Sequence, residues 1–488
     1  MSFRLAMVCL AVLAGPAGAT DPFEVHVLES EGRTVAAEIA DFDGDGRGDL
    51  MQIVIAGLPP AEQRTIRVFH QRTDGSFPSA PAMEIPLPAG SAAYDLADVD
   101  PAPGTELILL RRRGLTILSL AGSEARQRDV LVADGPTLGA VEDERGIDRL
   151  KLAWDELGSP PWLLVPQLSE VAVLSGSGEL MGRPQVGARA NYFVQPRPGP
   201  LMVESDIQLF LDVPRLSVGD VNGDGSPDIV SSGRHEIRVF LRRADGRFAS
   251  VADRSLALGR VSALDHARTM GVVRVSAADL DGDERLDVLI SHLSGGLQNA
   301  RFTTSVHLNR GGEWNLDEPD QVFENKGWGT DELVDLDGDG RLELVRVVFP
   351  LGIFELIEAL VTRSLDAQVA VYRATEKVGF AVDPWLKLKL GLPLSFERGR
   401  PQGFVPNVQA DLNGDGHRDL LTSSSGRRIE VYLGGSPDGY RERVARQALD
   451  TDGRIRFGDL EGDGMADFVL YNPRDLDAEL RLVRNLGV

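Results

Sequence analysis

The chain has 488 residues, 42% of them hydrophobic, and a formal net charge of −23. An acidity of that size repels nucleic acid, so no nucleic-acid partner is expected, and no segment reaches the roughly 18 consecutive apolar residues that a membrane span requires. A lone cysteine, Cys9, rules out a disulfide framework.

At the N-terminus, Arg4, the apolar run Leu5 to Ala14 and the small residues Ala17-Gly-Ala19 have the pattern of a cleaved secretory signal. Residues 1–19 are therefore expected to leave, and 20–488 to work as a secreted or periplasmic protein. Cys9 sits in the middle of the apolar run, not after it, so it leaves with the signal and anchors no lipid.

Next comes a short alternating strand, Phe23 to Leu28, and then a strand from Thr34 to Ala40 running into the phrase Asp41-Phe-Asp43-Gly-Asp45-Gly-Arg-Gly-Asp49. A second β-type run follows, Leu50 to Ile55, and then Ile66-Arg-Val-Phe leading to the turn Asp74-Gly75. Period-two alternation ending in Asp-Gly predicts a hairpin. One unit is thus strand, acidic loop, strand, connection, strand, turn, strand.

The acidic phrase returns five more times with the same offsets. Its ligand positions 1, 3, 5 and 9 are Asp220, Asn222, Asp224, Asp228; Asp279, Asp281, Asp283, Asp287; and Asp335, Asp337, Asp339, Glu343. The last two sets are Asp411, Asn413, Asp415, Asp419 and Asp459, Glu461, Asp463, Asp467. Side-chain oxygens at these offsets suit a hard cation such as Ca²⁺, which takes six to eight oxygens at about 2.3–2.6 Å. Six Ca²⁺ sites are expected, each completed by the backbone carbonyl near position 7. Glycine at position 4 in all six, and at position 6 in five, lets the backbone curl toward one point. The loop at 279 is expected to be the weakest, because Glu284 replaces the second glycine.

An EF-hand does not fit. That motif needs a bidentate Glu at position 12 between two helices, and here position 12 is Gln52, Ser231, Ile290, Arg346, Thr422 and Leu470. A plain Asp-Gly turn explains one loop but not six with acids at fixed offsets. The loops also account for much of the charge: 22 of the 74 acidic residues occupy ligand positions. Six bound Ca²⁺ would bring the net charge to about −11. Arg47-Gly48-Asp49 spells an adhesion tripeptide, but Asp49 is a loop ligand and the word is discounted.

Two copies have decayed. Asp98-Val-Asp100-Pro-Ala-Pro-Gly-Thr-Glu106 has Ala102 at position 5, and the stretch Asp155 to Trp162 lacks the acids. The eight starts (41, 98, 155, 220, 279, 335, 411 and 459) give a unit of about 57 residues, the size of a four-stranded propeller blade.

In these loops and their flanking strands the chain resembles the integrin-α type of repeat, called FG-GAP or VCBS, of secreted bacterial proteins. The resemblance covers nearly all of 20–488 and implies an all-β fold, a single β-propeller of four-stranded blades with Ca²⁺ in the loop of each competent blade. Eight phrases argue for eight blades; the alternative is seven, with the copy at Asp155 as an insertion. The last unit shows only three strands, Arg454 to Gly458, Asp467 to Tyr471 and Glu479 to Arg484, so Phe23 to Leu28 is expected to complete it and close the ring.

Alternation of strand direction puts the acidic loops and Asp-Gly turns on one face. Length variation falls on the other, at 181–212, 252–272, 292–302, 349–367 and 382–408, and functional loops concentrate where insertions do. One inserted helix is expected near 352–366, with Ile353, Ile357, Leu360, Val361 and Leu365 on its apolar side. Trp314, Trp328 and Trp385 are either sugar platforms or wedges between blades.

No catalytic set appears: seven histidines are scattered singly, and there is no His-Glu-x-x-His or Gly-x-Ser-x-Gly. The expectation is a calcium-stabilised binding or scaffold protein outside the cytoplasm, more a binder than an enzyme, taking an unknown protein or glycan ligand on the face opposite the loops. The alternative is a polysaccharide-degrading enzyme, since rhamnogalacturonan lyases are similar eight-bladed calcium propellers.

Overall fold

The computed structural model describes residues 21–488 except 29–31, 58–60, 132–146, 197–204, 261–271, 296–298, 351–363, 376–378, 396–399, 402–405, 425, 436–438 and 475–478. Its strands form eight blades in a ring, each built on four antiparallel strands; the blades opening at Ala93 and Trp328 gain a two-residue fifth strand, Asp148–Arg149 (parallel to Ala93–Tyr94) and Arg400–Pro401. Blade 1 is Arg33–Ala40, Asp49–Ala56, Gln63–Phe69 and Met83–Pro86, and blades 2 to 7 follow in chain order, opening at Ala93, Ala153, Arg215, Val272, Trp328 and Asn407. Blade 8 combines Arg454–Gly458, Asp467–Tyr471 and Leu480–Asn485 with Phe23–Leu28, which pairs antiparallel to Leu480–Asn485. Ring closure by the first strand is as expected. The seven-blade alternative is overturned: the turn at Asp155 lies between Ala153–Trp154 and Trp162–Pro166, two strands of a complete third blade.

Every strand of a blade alternates, so each blade presents an apolar face to both neighbours. The buried apolar residues accordingly separate into eight clusters, each lying between two successive blades. Leu50, Tyr471 and Leu482 pack between blades 8 and 1, for example, and Val230, Val288 and Trp314 between blades 4 and 5. Trp314 is a wedge: it is buried, and its indole N–H donates to the Leu286 carbonyl at 2.8 Å. Sheets that bury both faces against neighbours need no central core.

Length variation on the face opposite the acidic loops has a structural form in two places. The hairpin Arg189–Pro196 with Ser205–Asp212 stands between blades 3 and 4, and the two outer strands of blade 6, Ser364–Tyr372 and Leu386–Ser395, run past the end of Glu343–Phe349. Two expected boundaries need correction. Residues 386–395 are the fourth strand of blade 6, and Arg254–Ala257 is the fourth strand of blade 4, so less of 382–408 and 252–272 is connection than the sequence implied. The expected helix falls largely on 351–363, outside the described residues, and it does not reach 366 because Ser364–Tyr372 is strand. Among the described residues the one helical turn is Asp155–Leu157.

Candidate metal centres

Each acidic loop joins the first strand of its blade to the second, and position 9 opens the second strand. Asp49, Asp228, Asp287, Glu343, Asp419 and Asp467 each pair across the ladder with the residue just before their own loop. All six are buried. One carboxylate oxygen of each accepts the N–H of position 2, at 2.7–3.1 Å from Phe42, Val221, Leu280, Leu336, Leu412 and Leu460. In five loops the other oxygen accepts an N–H from the end of the third strand or just beyond it, at 2.7–2.9 Å from Gln71, Arg242, Asn309, Gly434 and Asn485. Position 9 is therefore a clasp holding loop and turn together.

Position 1 shapes the curl. Asp41, Asp220, Asp279, Asp335, Asp411 and Asp459 each take the N–H of position 4 on one oxygen and of position 6 on the other, at 2.7–3.1 Å. Position 5 accepts the N–H of position 7 in every copy, for instance Asp45 from Arg47 and Asp339 from Arg341. Position 6 needs a left-handed backbone: Gly46 has φ 85°, and Glu284 is held at φ 67° in the one loop that lacks glycine there. The curl at 279 is intact, with strain at Glu284.

The loops differ in how far their acids converge. Asp41, Asp43 and Asp45 bring one oxygen each within 4.8 Å of the others, as do Asp279, Asp281 and Asp287, and Asp335, Asp337 and Asp339. In the loops at 220 and 411 position 3 is an amide that donates to position 5, Asn222 to Asp224 at 3.0 Å and Asn413 to Asp415 at 3.1 Å. No three acids converge there among the described residues. A donor set of oxygens at this spacing fits a hard cation. A second observation agrees with it: one oxygen each of Asp281 and Asp337, at position 3, is buried without a hydrogen-bond partner.

Sequence reasoning missed two residues. His70 Nδ1 lies 3.0 Å from Asp49 and 3.7 Å from Asp43, so imidazole joins the first loop. Arg484 occupies the matching place in blade 8, one residue before the clasp donor, and its guanidinium is ion-paired with Glu461 at position 3. Both residues directly precede the residue that clasps position 9, a place that only the register of the third strand reveals.

Burial dominates the electrostatics. It pushes Asp228 and Asp419 up to about 6, and Asp287, Glu343 and Asp467 up to about 7, against the downward pull of the backbone N–H groups. Asp281 is also raised, by burial first and then by Asp283 and Asp279.

The decayed copies separate clasp from ligand. In blade 2, Glu106 is buried and accepts the N–H of Val99 at 2.9 Å and of Asp100 at 3.3 Å, although Ala102 removes the ligand at position 5. In blade 3 the ladder puts Trp162 at position 9, and the Arg242 guanidinium of blade 4 stacks on it at 4.5 Å. Successive loops are also joined to one another. The N–H of position 8 donates to the preceding loop from Thr105 to Asp41, Leu286 to Asp220, Arg418 to Leu336, Ala466 to Asp411 and, across the closure, Gly48 to Leu460, at 2.7–2.9 Å.

The FG-GAP-like repeat family matches residues 220–290 and 411–470, which hold the loops of blades 4, 5, 7 and 8. No protein of curated function matches the sequence. Solved structures similar to this chain include an Agrocybe aegerita lectin described as recognising non-reducing terminal N-acetylglucosamine, at 17% identity, 94% of this chain, 86% of that one and a TM-score of 0.39. Sqt1 from Chaetomium thermophilum is similar at 11% identity, 94% and 97% coverage and a TM-score of 0.43. The WD40 domain of Toxoplasma gondii coronin is similar at 9% identity, 96% and 90% coverage and a TM-score of 0.37. At these identities no ligand or activity carries over.

Proposed function

We propose that this eight-bladed β-propeller of FG-GAP-like repeats is a binding or scaffold protein stabilised by Ca²⁺ in its acidic loops and working outside the cytoplasm. The observation that carries the calcium half is the pair of buried, unpartnered oxygens on Asp281 and Asp337 within clusters of three carboxylates. Buried charge without a partner is costly, and a divalent cation supplies the partner. Positions 1, 3 and 5 would hold it with the position-7 carbonyl, and position 9 would add an oxygen while keeping its clasp. The leader pattern of residues 1–19 supports export to a compartment rich in free calcium.

The binding half follows from division of labour between the faces. Loops on the acidic face are short and tied to each other, whereas the opposite face carries the paired strands Arg189–Pro196 and Ser205–Asp212 and the extended outer strands of blade 6. A protein or glycan ligand is therefore assigned to that opposite face.

Metal analysis of the purified chain at millimolar Ca²⁺, with paired melting curves with and without chelator, tests the calcium half. Fewer than four ions per chain, or a melting curve indifferent to chelator, counts against it. Incubation with acidic polysaccharides and ultraviolet detection of unsaturated ends tests the binding half, which sustained release of such ends overturns.

A further inference from the structure

The first strands of neighbouring blades line the centre of the ring, and Arg215–Gly219 of blade 4 packs beside Val272–Ala278 of blade 5. Each runs from the face opposite the acidic loops down to its own loop, so the offset from the first acid of the loop gives height. Seven residues before that acid stand Val213, Val272 and Trp328 of blades 4, 5 and 6, exposed by 42, 51 and 45%. Three exposed apolar side chains at one height on successive blades make a rim. Five residues before the acid, one layer deeper, stand Arg215, Arg274 and Thr330, all exposed. The heights match between blades. The Leu286 N–H donates to the Asp220 carbonyl at 2.7 Å, and Arg274 Nη1 donates to Thr330 Oγ1 at 3.0 Å.

The two arginines stand together without an acid. Among the described residues the Arg215 guanidinium has no hydrogen bond or ion pair, and that of Arg274 has only its bond to Thr330. Burial, and then the like charge of Arg274, hold Arg215 below the usual arginine range. Glu332, which follows Thr330 on the same side of its strand, pairs with neither. The contrast is blade 8, where Arg454 occupies the same height and is neutralised by Asp148 at 2.5 Å. Neighbouring like charges repel, and both side chains are open to a ligand entering from the face opposite the loops.

We propose that this central mouth at blades 4 to 6 binds a sugar carrying an ester sulfate or phosphate, with the anionic group between Arg215 and Arg274 and the ring against Trp328. A planar carboxylate is matched by a single guanidinium fork, whereas a tetrahedral oxyanion presents oxygens in enough directions to meet two. It also brings the negative charge that the pair of arginines lacks. Trp328 lies two residues from Thr330 on the same side of the strand, about 7 Å away, which is the reach of a sugar ring from its ester. Thr330, with Ser217 and Ser276 one layer deeper, offers hydroxyls to those of the ring. The proposal rests on the binding role assigned above to this face and gives it a place and a chemistry.

The test is calorimetric titration of the full calcium-loaded chain with glucose 6-sulfate and with glucose 6-phosphate, against glucose and inorganic sulfate as controls. Saturable binding of at least one ester is expected, the tighter of the two naming the ester, with inorganic sulfate weaker and glucose not bound. Arg215→Ala and Arg274→Ala, both at exposed positions, should each weaken the ester by about tenfold while melting near the wild type. Arg274→Lys, which keeps the charge but not the fork, should recover only part of that loss. Trp328→Ala should weaken the ester by about fivefold and leave inorganic sulfate unchanged. Absence of binding of both esters to the wild type, or equal binding of glucose, overturns the proposal. So does inorganic sulfate binding as tightly as the esters, which would mean an adventitious ion only. Ester binding unchanged in both arginine variants overturns this site and leaves the binding role standing. Release of unsaturated ends from polysaccharide, by contrast, overturns the binding role itself.

Discussion

Gln447 grips Phe23 by both backbone groups: its Oε1 accepts the Phe23 N–H at 3.1 Å and its Nε2 donates to the Phe23 carbonyl at 2.8 Å, across 424 residues of sequence. The strand that closes the ring is thereby tied to the outer strand of blade 7 as well as to its own blade. Phe23 also meets Phe468 edge-on at 5.5 Å.

Removing residues up to Leu28 should therefore lower the melting temperature and broaden the transition, because it exposes the edge of Leu480–Asn485 and the buried Phe468. Gln447→Ala should lower stability by about 1–3 kcal/mol, the cost of two orphaned buried backbone groups. Denaturant unfolding of both variants checks this, and an unchanged midpoint for the truncation would refute closure by this strand.

Clasp and ligand positions should respond to calcium in opposite ways. Glu106→Ala, in a blade without the ligand set, should cost about 1–3 kcal/mol with or without Ca²⁺. Asp281→Asn should cost little in chelator but lose the calcium-dependent gain of its loop, about 2.7 kcal/mol at a hundred times Kd. Thermal melts of the two variants in Ca²⁺ and in chelator separate the roles, and identical behaviour would merge them.

Acidification should release calcium before it unfolds the protein. Asp228 and Asp419 titrate at about 6, and Asp287, Glu343 and Asp467 at about 7, all raised from their unfolded values near 4. In metal-free protein the folded state binds more protons than the unfolded between those values. The contribution of these groups to stability is then complete below about 4 and is lost as pH rises through 6 to 7. Calcium needs the ionised form, so its stabilising effect should fade as pH drops through the same window. Melting temperature against pH, with and without Ca²⁺, should give curves that converge on the acid side; parallel curves would be the contrary result.

Glu284 is held at φ 67° to donate its N–H to Asp279 at 2.8 Å. Glu284→Gly should stabilise the protein by about 1 kcal/mol, the cost of a left-handed side-chain residue, and tighten calcium binding at that loop. A loss of stability in the variant would show that the glutamate side chain contributes more than its backbone costs.

Calcium binding in blade 8 should be weakened, as at the loop at 279 but for a different reason. The Arg484 guanidinium already neutralises Glu461 where a metal would need that oxygen. Arg484→Leu, which restores the leucine found at the matching place in blades 4, 5 and 7, should raise affinity at this loop. Stoichiometry at limiting Ca²⁺ measures the change, and a fall in bound metal would make Arg484 part of the site.

Repeats with fixed internal offsets made most of the architecture legible from the amino-acid sequence. Acids at positions 1, 3, 5 and 9 marked the loops, eight such phrases favoured eight blades over seven, and the three strands of the last unit left a place for Phe23–Leu28. These are local properties, set by backbone geometry within about ten residues or by the period of the repeat. Position 9 was recognised as an acid but not as a clasp, because its second partner comes from the far end of another strand, 22 residues on for Asp49. His70 and Arg484 were likewise invisible, since each reaches its loop through the register of the third strand. Arg346 was read only as a residue at position 12 that is no carboxylate. Its burial between Phe302 and Phe323, and its unpaired nitrogens, arise where one blade is pressed against the next. Contacts between blades depend on which faces meet at what height, and only the closed ring decides that.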